Sequence, residues 1–269
     1  MLKRTVTGIG IVAVVYLFLW FASVPFVMQL AVTLLTAGSM YELCKATNYN
    51  QSNRFAVMTI FLGTVFALIP VKSYDVLMCI AFPLIVLMFA WMMKHLQNLR
   101  FDRPIKGIML MFAAVLLLKA IPEVGKVPCG KYYLTMAVTL CFVTDIGAYL
   151  VGCGIGRHKL LPSVSPNKTI EGAVGGILFA VFGMLLGGWY LAVICGFTVN
   201  RTALMMYSVL AAIVAEFGDL AMSCVKRIAG IKDFSDIFPG HGGVLDRFDS
   251  HLFVIAFTLV FCSLSGGYL

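Results

Sequence analysis

From Val6 to the last residues the chain is a succession of apolar runs, each near the length of a bilayer crossing, separated by short polar breaks. Candidate spans are Val6–Ala22, 24–43, 55–71, 76–93, 105–121, 132–151, 172–198, 203–225 and 248–265, nine in all. A helix of about 20 apolar residues covers the hydrocarbon core. Within that core only helices and closed barrels satisfy their own backbone polar groups. The residues are 61% hydrophobic and 12% charged, with a mean hydropathy of +0.97, against about 45–50% apolar in ordinary soluble domains. The expected fold is all-α, a polytopic integral membrane helical bundle of about nine transmembrane helices. Several spans are short, so tilt or local bilayer thinning is expected. Span 172–198 carries Gly175, Gly176, Gly183, Gly187 and Gly188, and is expected either to break or to pack closely against a neighbour.

Lys3 and Arg4 before the first run also fit a signal peptide. The next run starts at once near Val24, with no cleavage site and polar mature start between them, which favours a retained first helix. The eight cysteines form no C-x-x-C or Cys/His cluster. Most, such as Cys79, Cys141, Cys195 and Cys262, lie in apolar runs and read as small hydrophobes.

Orientation follows from the basic residues. With the N-terminus in the cytoplasm, the inside segments carry Lys3, Arg4, Lys45, Arg54, Lys94, Arg100, Arg103, Lys106, Arg157, Lys159, Lys168, Lys226, Arg227, Lys232 and Arg247, while the outside carries Lys72, Lys119, Lys126, Lys131 and Arg201. Fifteen against five supports N-terminus inside and C-terminus outside. The net charge of +8 then reflects inside loops and anionic partners, lipid phosphate included, rather than nucleic acid. The acids are lopsided as well: Glu42, Asp75, Asp102 and Glu123 precede residue 130, and eight follow it. Residues 1–130 are expected to be scaffold helices. Residues 131–269 are expected to carry the chemistry, with cytoplasmic loops at 152–171 and 226–247.

The charges crowd most between Ser223 and Asp249, where eight of 27 residues are charged. Charges gathered where hydrocarbon meets water are costly unless paired or used. At about 100° per residue, Glu216, Asp219, Ser223, Lys226 and Arg227 share one helix face. Two carboxylates at i and i+3 suit a divalent cation; the plainer alternative is that they pair with Lys226, Arg227 or a neighbouring helix and only hold the bundle. Asp246 and Asp249 repeat the spacing at the start of the last helix. Unbound, four such carboxylates would repel, and a hard cation such as Mg²⁺ removes the conflict; the plainer alternative is favourable placement of acids in a first helical turn. Between the two helices, Phe238-Pro239-Gly240-His241-Gly242-Gly243 rules out a continuous helix. It offers either an anion-binding concavity, with His241 as a donor or acid, or a tight connection.

The earlier loop holds Gly152, Gly154, Gly156, Arg157, His158 and Lys159, then Ser165-Pro166-Asn167-Lys168-Thr169-Ile170-Glu171-Gly172. Ser165 before Pro166 is an N-cap signal. It predicts Lys168 in the first helical turn, where a cation is unfavourable unless an anion lies nearby; otherwise these are positive-inside loop residues. Asp145 lies in the cytoplasmic half of span six and calls for a cation or a basic partner. Glu42 is placed alike, but nothing adjoins it, and it has no assigned role.

The run S-x-x-K-R-x-x-x-x-K-D-x-x-x-x-F-P-x-H-G-G-x-x-D-R-x-D, from Ser223 to Asp249, resembles the signature of the phosphatidate cytidylyltransferases, or CDP-diacylglycerol synthases. Asp145-x-Gly-Ala-Tyr149 and Ser165-Pro-x-Lys168-Thr169-x-Glu171-Gly172 are similar to further motifs of that family. Ile146 departs from it, standing where relatives are expected to have a small polar residue. The resemblance covers roughly residues 145–250. It implies transfer of a cytidylyl group from CTP to phosphatidate, giving CDP-diacylglycerol and pyrophosphate, in phospholipid biosynthesis. Both reactants are polyanions, so metal ions and basic side chains are needed to screen their repulsion.

On that reading Asp219, Asp246 and Asp249 hold Mg²⁺, with Glu216 and Asp145 beside them and room for a second cation. Lys226, Arg227, His241 and Arg247 contact phosphates of CTP or the leaving group. Arg157, Ser165 and Lys168, with Ser223, Lys232, Gly242 and Gly243, complete the substrate contacts. A cavity opening sideways into the inner leaflet admits the acyl chains. The expected partners are CTP, phosphatidate and membrane lipid, with a homodimer as an option and no nucleic acid. The expected location is a bacterial inner membrane, multi-pass, with the site facing the cytoplasm. Competing classes are a CTP-using enzyme on another lipid (a polyprenol kinase or an archaeal-type CDP-lipid synthase), a secondary transporter and a noncatalytic scaffold. A transporter calls for an internal repeat, and none of about 20–50 residues is visible.

Overall fold

Apolar runs of this length have one solution in hydrocarbon, a helix that closes its own hydrogen bonds, and the chain takes it repeatedly. The computed structural model describes residues 2–47, 53–69, 71–99, 104–194, 196–238 and 242–265. Among these it forms nine helices: α1 (Leu2–Trp20), α2 (Pro25–Ala46), α3 (Asn53–Leu68), α4 (Tyr74–Lys94), α5 (Pro104–Lys126), α6 (Gly130–Ile155), α7 (Ile170–Val193), α8 (Arg201–Ile228) and α9 (Leu245–Leu264). Seven are long and apolar enough to cross a membrane; the apolar stretches Gly10–Trp20 of α1 and Val57–Leu68 of α3 are shorter. The chain is a polytopic helical membrane protein.

Helix edges differ from the apolar runs where polar residues continue a helix beyond the hydrocarbon. The eighth runs to Ile228 and so carries Lys226 and Arg227 on its last turn. The ninth starts at Leu245 and so includes Asp246. α8 ends in a Schellman motif: Gly230 has φ +71°, its N–H bonds the Arg227 carbonyl, and the Ile231 N–H bonds that of Lys226.

One local prediction fails. Ser165 does not cap a helix; Ser165–Thr169 is a strand, β2, paired antiparallel with β1 (Lys159–Leu161). The cap is Thr169, whose extended backbone and Oγ1, accepting from the Gly172 N–H at 3.1 Å, start α7. A β-branched residue suits the last position of a strand, and the Ser-Pro signal misplaces the start by four residues. Lys168 therefore projects from a hairpin and not from a first helical turn.

α9 sits centrally, packed on α8, α5, α4 and α6. Its middle, from Leu252 to Ala256, is buried all round, as expected of an interior helix. Phe253 meets Phe89 and Phe217 edge-on, and Tyr207 reaches Thr258 with its hydroxyl at 2.7 Å. Span seven does not break. Gly172, Gly175 and Gly176 of α7 lie against α6, where an added Cβ would meet the Ala148 carbonyl at 2.8 Å, Val151 at 2.5 Å and the Thr144 carbonyl at 2.9 Å. Gly147 of α6 returns the fit against Phe179. The small-residue seam brings the two backbones together. The C-termini of α2, α6 and α8 and the N-termini of α7 and α9 meet at one end of the bundle, with the hairpin.

Candidate active site

At that end a cavity of about 520 Å³ opens between α6, the hairpin, the start of α7, and α8. Its lining includes Asp145, Tyr149, Asn167, Lys168, Glu216 and Asp219. The pairing of β2 with β1 carries Lys168 across to α8. Its ammonium lies 2.6 Å from Glu216 Oε2 and 2.7 Å from Asp219 Oδ2. Burial works against the Lys168 charge, but Asp219 and Glu216 outweigh it and hold the group above the ordinary lysine range. Glu216 is 8% exposed, and its other oxygen, Oε1, is buried without a hydrogen-bond partner among the described residues. Ser223 Oγ approaches Asp219 Oδ1 at 3.5 Å. Asp145 faces the cavity from α6, and Asp249 of α9 lies beside Asp219. Four of the five predicted metal-binding acids thus share one neighbourhood.

The fifth, Asp246, is engaged otherwise. Lys226 Nζ donates to its Oδ1 at 2.7 Å, and the Phe234 and Gly243 N–H groups donate to Oδ2 at 2.8 and 2.9 Å. Lys226 is itself buried and lies over the Phe234 ring. Gly242 has φ +79° and passes so close to Asp246 that a Cβ would meet Oδ2 at 2.7 Å. At the end of the glycine loop the Gly243 N–H points at Asp246, and the Val244 and Leu245 N–H groups that follow it point at Glu42, both at 2.8 Å.

Glu42 is the residue that sequence reasoning left without a role. It is fully buried, on α2, and also accepts from Ser235 Oγ at 2.5 Å. The one sequence signal was an unpaired acid inside an apolar span.

The remaining predicted residues are dispersed. Arg227 is exposed, its Nε donating to the Val164 carbonyl at 3.1 Å, which ties α8 to the hairpin turn. Arg247 is half-buried, with Nε unpartnered among the described residues, near Asp145. Arg157 and Lys232 are exposed, and Ser165 is half-buried. The Arg157 and His158 N–H groups donate to Glu171 on the first turn of α7. His241 lies outside the described residues.

Among the described residues no three His, Cys, Asp or Glu side chains gather tightly enough to hold a metal ion. Glu216 and Asp219 do converge, and the Lys168 ammonium marks the point where a cation sits between them. Hard carboxylate oxygens and a buried, unpartnered Oε1 are a donor set that fits Mg²⁺.

The cytidylyltransferase family matches residues 2–265. A phosphatidate cytidylyltransferase of Staphylococcus haemolyticus is 40% identical over 126 residues, 47% of this chain and 47% of that protein. One of Staphylococcus aureus strain COL is 41% identical over the same length and shares. The chain thus aligns with about half the length of the curated relatives it matches. The family match runs through all nine helices and takes in both the cavity and the glycine loop, and by it the chain belongs to the cytidylyltransferase family.

Proposed function

We propose that the protein transfers a cytidylyl group from CTP to phosphatidate, forming CDP-diacylglycerol and pyrophosphate, on the cytoplasmic face of a bacterial inner membrane. The observation that carries this reading is the Lys168 ammonium between Glu216 and Asp219, in a cavity walled by membrane helices. Such a cleft collects cations at the lipid boundary, where a polyanionic lipid and a polyanionic nucleotide must be brought together. Family membership and the names of the relatives support the same reaction.

Mg²⁺ would be held by Glu216 and Asp219, with Asp145 and Asp249 beside them. Asp246 has only the Oδ1 that it shares with Lys226 to offer. When bound, the ion supplies charge neutralisation for the phosphates. The chain's own residues do the rest. Lys168, on the hairpin, exchanges its carboxylate partners for a phosphate. Arg247, with an unpartnered Nε, and the exposed guanidinium of Arg227 screen the leaving pyrophosphate, and His241 is assigned the same task. Arg157, Ser165, Lys232 and Ser223 are assigned to the lipid phosphate or the nucleotide. A phosphatidate oxygen is ionised near neutral pH, so catalysis comes from positioning and charge stabilisation, without a dedicated general base. Acyl chains lie against Ala148, Tyr149 and Ala173, on the α6–α7 wall.

The test is purified protein in detergent with radiolabelled CTP and phosphatidate, with and without EDTA. A labelled lipid that forms only with divalent metal is expected. No labelled lipid with phosphatidate, or full yield in EDTA, overturns the reading. Label transferred to a polyprenol instead identifies the neighbouring CTP-using class.

A further inference from the structure

Glu42 is on the second helix of the chain, yet its three hydrogen bonds reach residues about two hundred positions later: Ser235 Oγ, the Val244 N–H and the Leu245 N–H. The last two amides belong to the start of α9, where a helix leaves N–H groups without intrahelical partners. Val244 places no side-chain cap there. Glu42 performs the task from another helix. The fit is close on both sides. Gly38, one turn earlier on α2, lies against Val244, whose Cγ2 an added Cβ would meet at 3.2 Å. Gly243 lies against the Glu42 carboxylate and the Ser235 hydroxyl, with no room for a methyl group.

The residues just after this grip are Asp246, Arg247 and Asp249, all on the first turns of α9. Asp246 holds the other side of the same loop through the Phe234 and Gly243 amides. Phe234, Ser235, Gly243, Val244 and Leu245 are therefore held by two carboxylates, one from α9 itself and one from α2. Loss of the second frees the α9 start to fray, and Arg247 and Asp249 move with it.

We propose that Glu42 is a positioning residue for the transfer reaction, acting from α2 through the Val244 and Leu245 amides to set the first turn of α9 against the cavity. The proposal rests on the reaction proposed above. Glu42 touches neither substrate, so its removal lowers turnover more than it weakens substrate binding. A small displacement of reacting groups is worth about 10²-fold in rate. For Glu42→Ala the expected kcat loss is about that size, with KM for CTP changed by less than about threefold.

The deciding experiment is a double-mutant cycle with Gly243→Ala, read by kcat, KM and amide hydrogen exchange in detergent. Gly243→Ala alone drives a methyl into the Glu42 carboxylate and is expected to lower kcat about as much as Glu42→Ala. Added to Glu42→Ala it should cost little, because the carboxylate is gone and the Ser235 hydroxyl, having lost its bond to Glu42, can rotate aside. Hydrogen exchange at residues 244–245 should accelerate in both single variants. Glu42→Gln, which keeps the size and one acceptor, should recover part of kcat, and it carries the test if Glu42→Ala does not fold. Thr36→Val, another buried site on α2, should leave kcat unchanged and serves as the control. Full kcat in Glu42→Ala, a rise in KM alone, or additive losses with Gly243→Ala overturns the proposal. Wild-type protein that makes no labelled lipid fails at an earlier step and overturns the reaction together with it.

Discussion

Two groups of carboxylates lie at the same end of this bundle, and they differ in what satisfies them. Glu42 and Asp246 are buried, and all four oxygens accept hydrogen bonds, four of them from backbone amides that cannot swing away. Glu216 and Asp219 face a cavity and lean on one flexible lysine from a hairpin, with Glu216 Oε1 left unpartnered. The first group is architecture, since its donors are part of the loop and helix it holds. On the proposed reaction, the second has a counter-ion that a metal–nucleotide complex replaces. On that proposal, acids of one chemical type thus divide between holding the fold and meeting the ligand according to whether their donors can leave.

Four substitutions test that division. Asp219→Asn should give the largest effect, a loss of turnover of about 10³-fold in folded protein, measured as labelled CDP-lipid from CTP; near-normal turnover would remove Asp219 from the ligand-facing group. Lys168→Met should lower kcat/KM about 10²-fold. It should also lower the melting temperature in EDTA, with millimolar Mg²⁺ restoring much of the loss, because the metal re-partners Glu216 and Asp219. Lys226→Met leaves Asp246 buried and short of a partner, at about 3 kcal/mol. Here Mg²⁺ should restore nothing, and equal recovery in the two lysine variants would erase the distinction. Thr169→Ala removes the α7 cap and should cost about 1 kcal/mol, seen as a small drop in the melting temperature with Mg²⁺ dependence intact.

Much of this was legible in the residues alone. Run length marks out the helices, and the helical period places Glu216, Asp219 and Ser223 on one face, as they are found. The position of Lys168 was not legible. Ser165-Pro166 carries a real N-cap signal, but pairing with Lys159–Leu161 prevails over it, and that pairing joins segments whose short alternation says little by itself. The role of Glu42 was hidden for a different reason: its partners are backbone amides and one serine, and amides leave no mark in a sequence. The glycine loop reads as a place where amides turn toward an anion. The amides of Gly243 and, just after it, Val244 do turn to anions, but those anions are Asp246 and Glu42.

On the proposed reaction, the seam between α6 and α7 bears on how a bulky lipid is admitted. With Gly147, Gly172, Gly175 and Gly176 seated against neighbouring atoms at distances that leave no space for a methyl group, these two helices form a rigid jaw that can neither slide nor part without losing contacts along several turns. On the same proposal, dilation of the cleft for a two-tailed molecule then falls to the opposite side, where the Lys168 ion pairs and the Arg227–Val164 bond join the hairpin to α8. If Lys168 exchanges its carboxylate partners for a nucleotide phosphate as proposed, those ion pairs are lost as the nucleotide arrives, and the proposed reaction then predicts a preferred order of substrate entry.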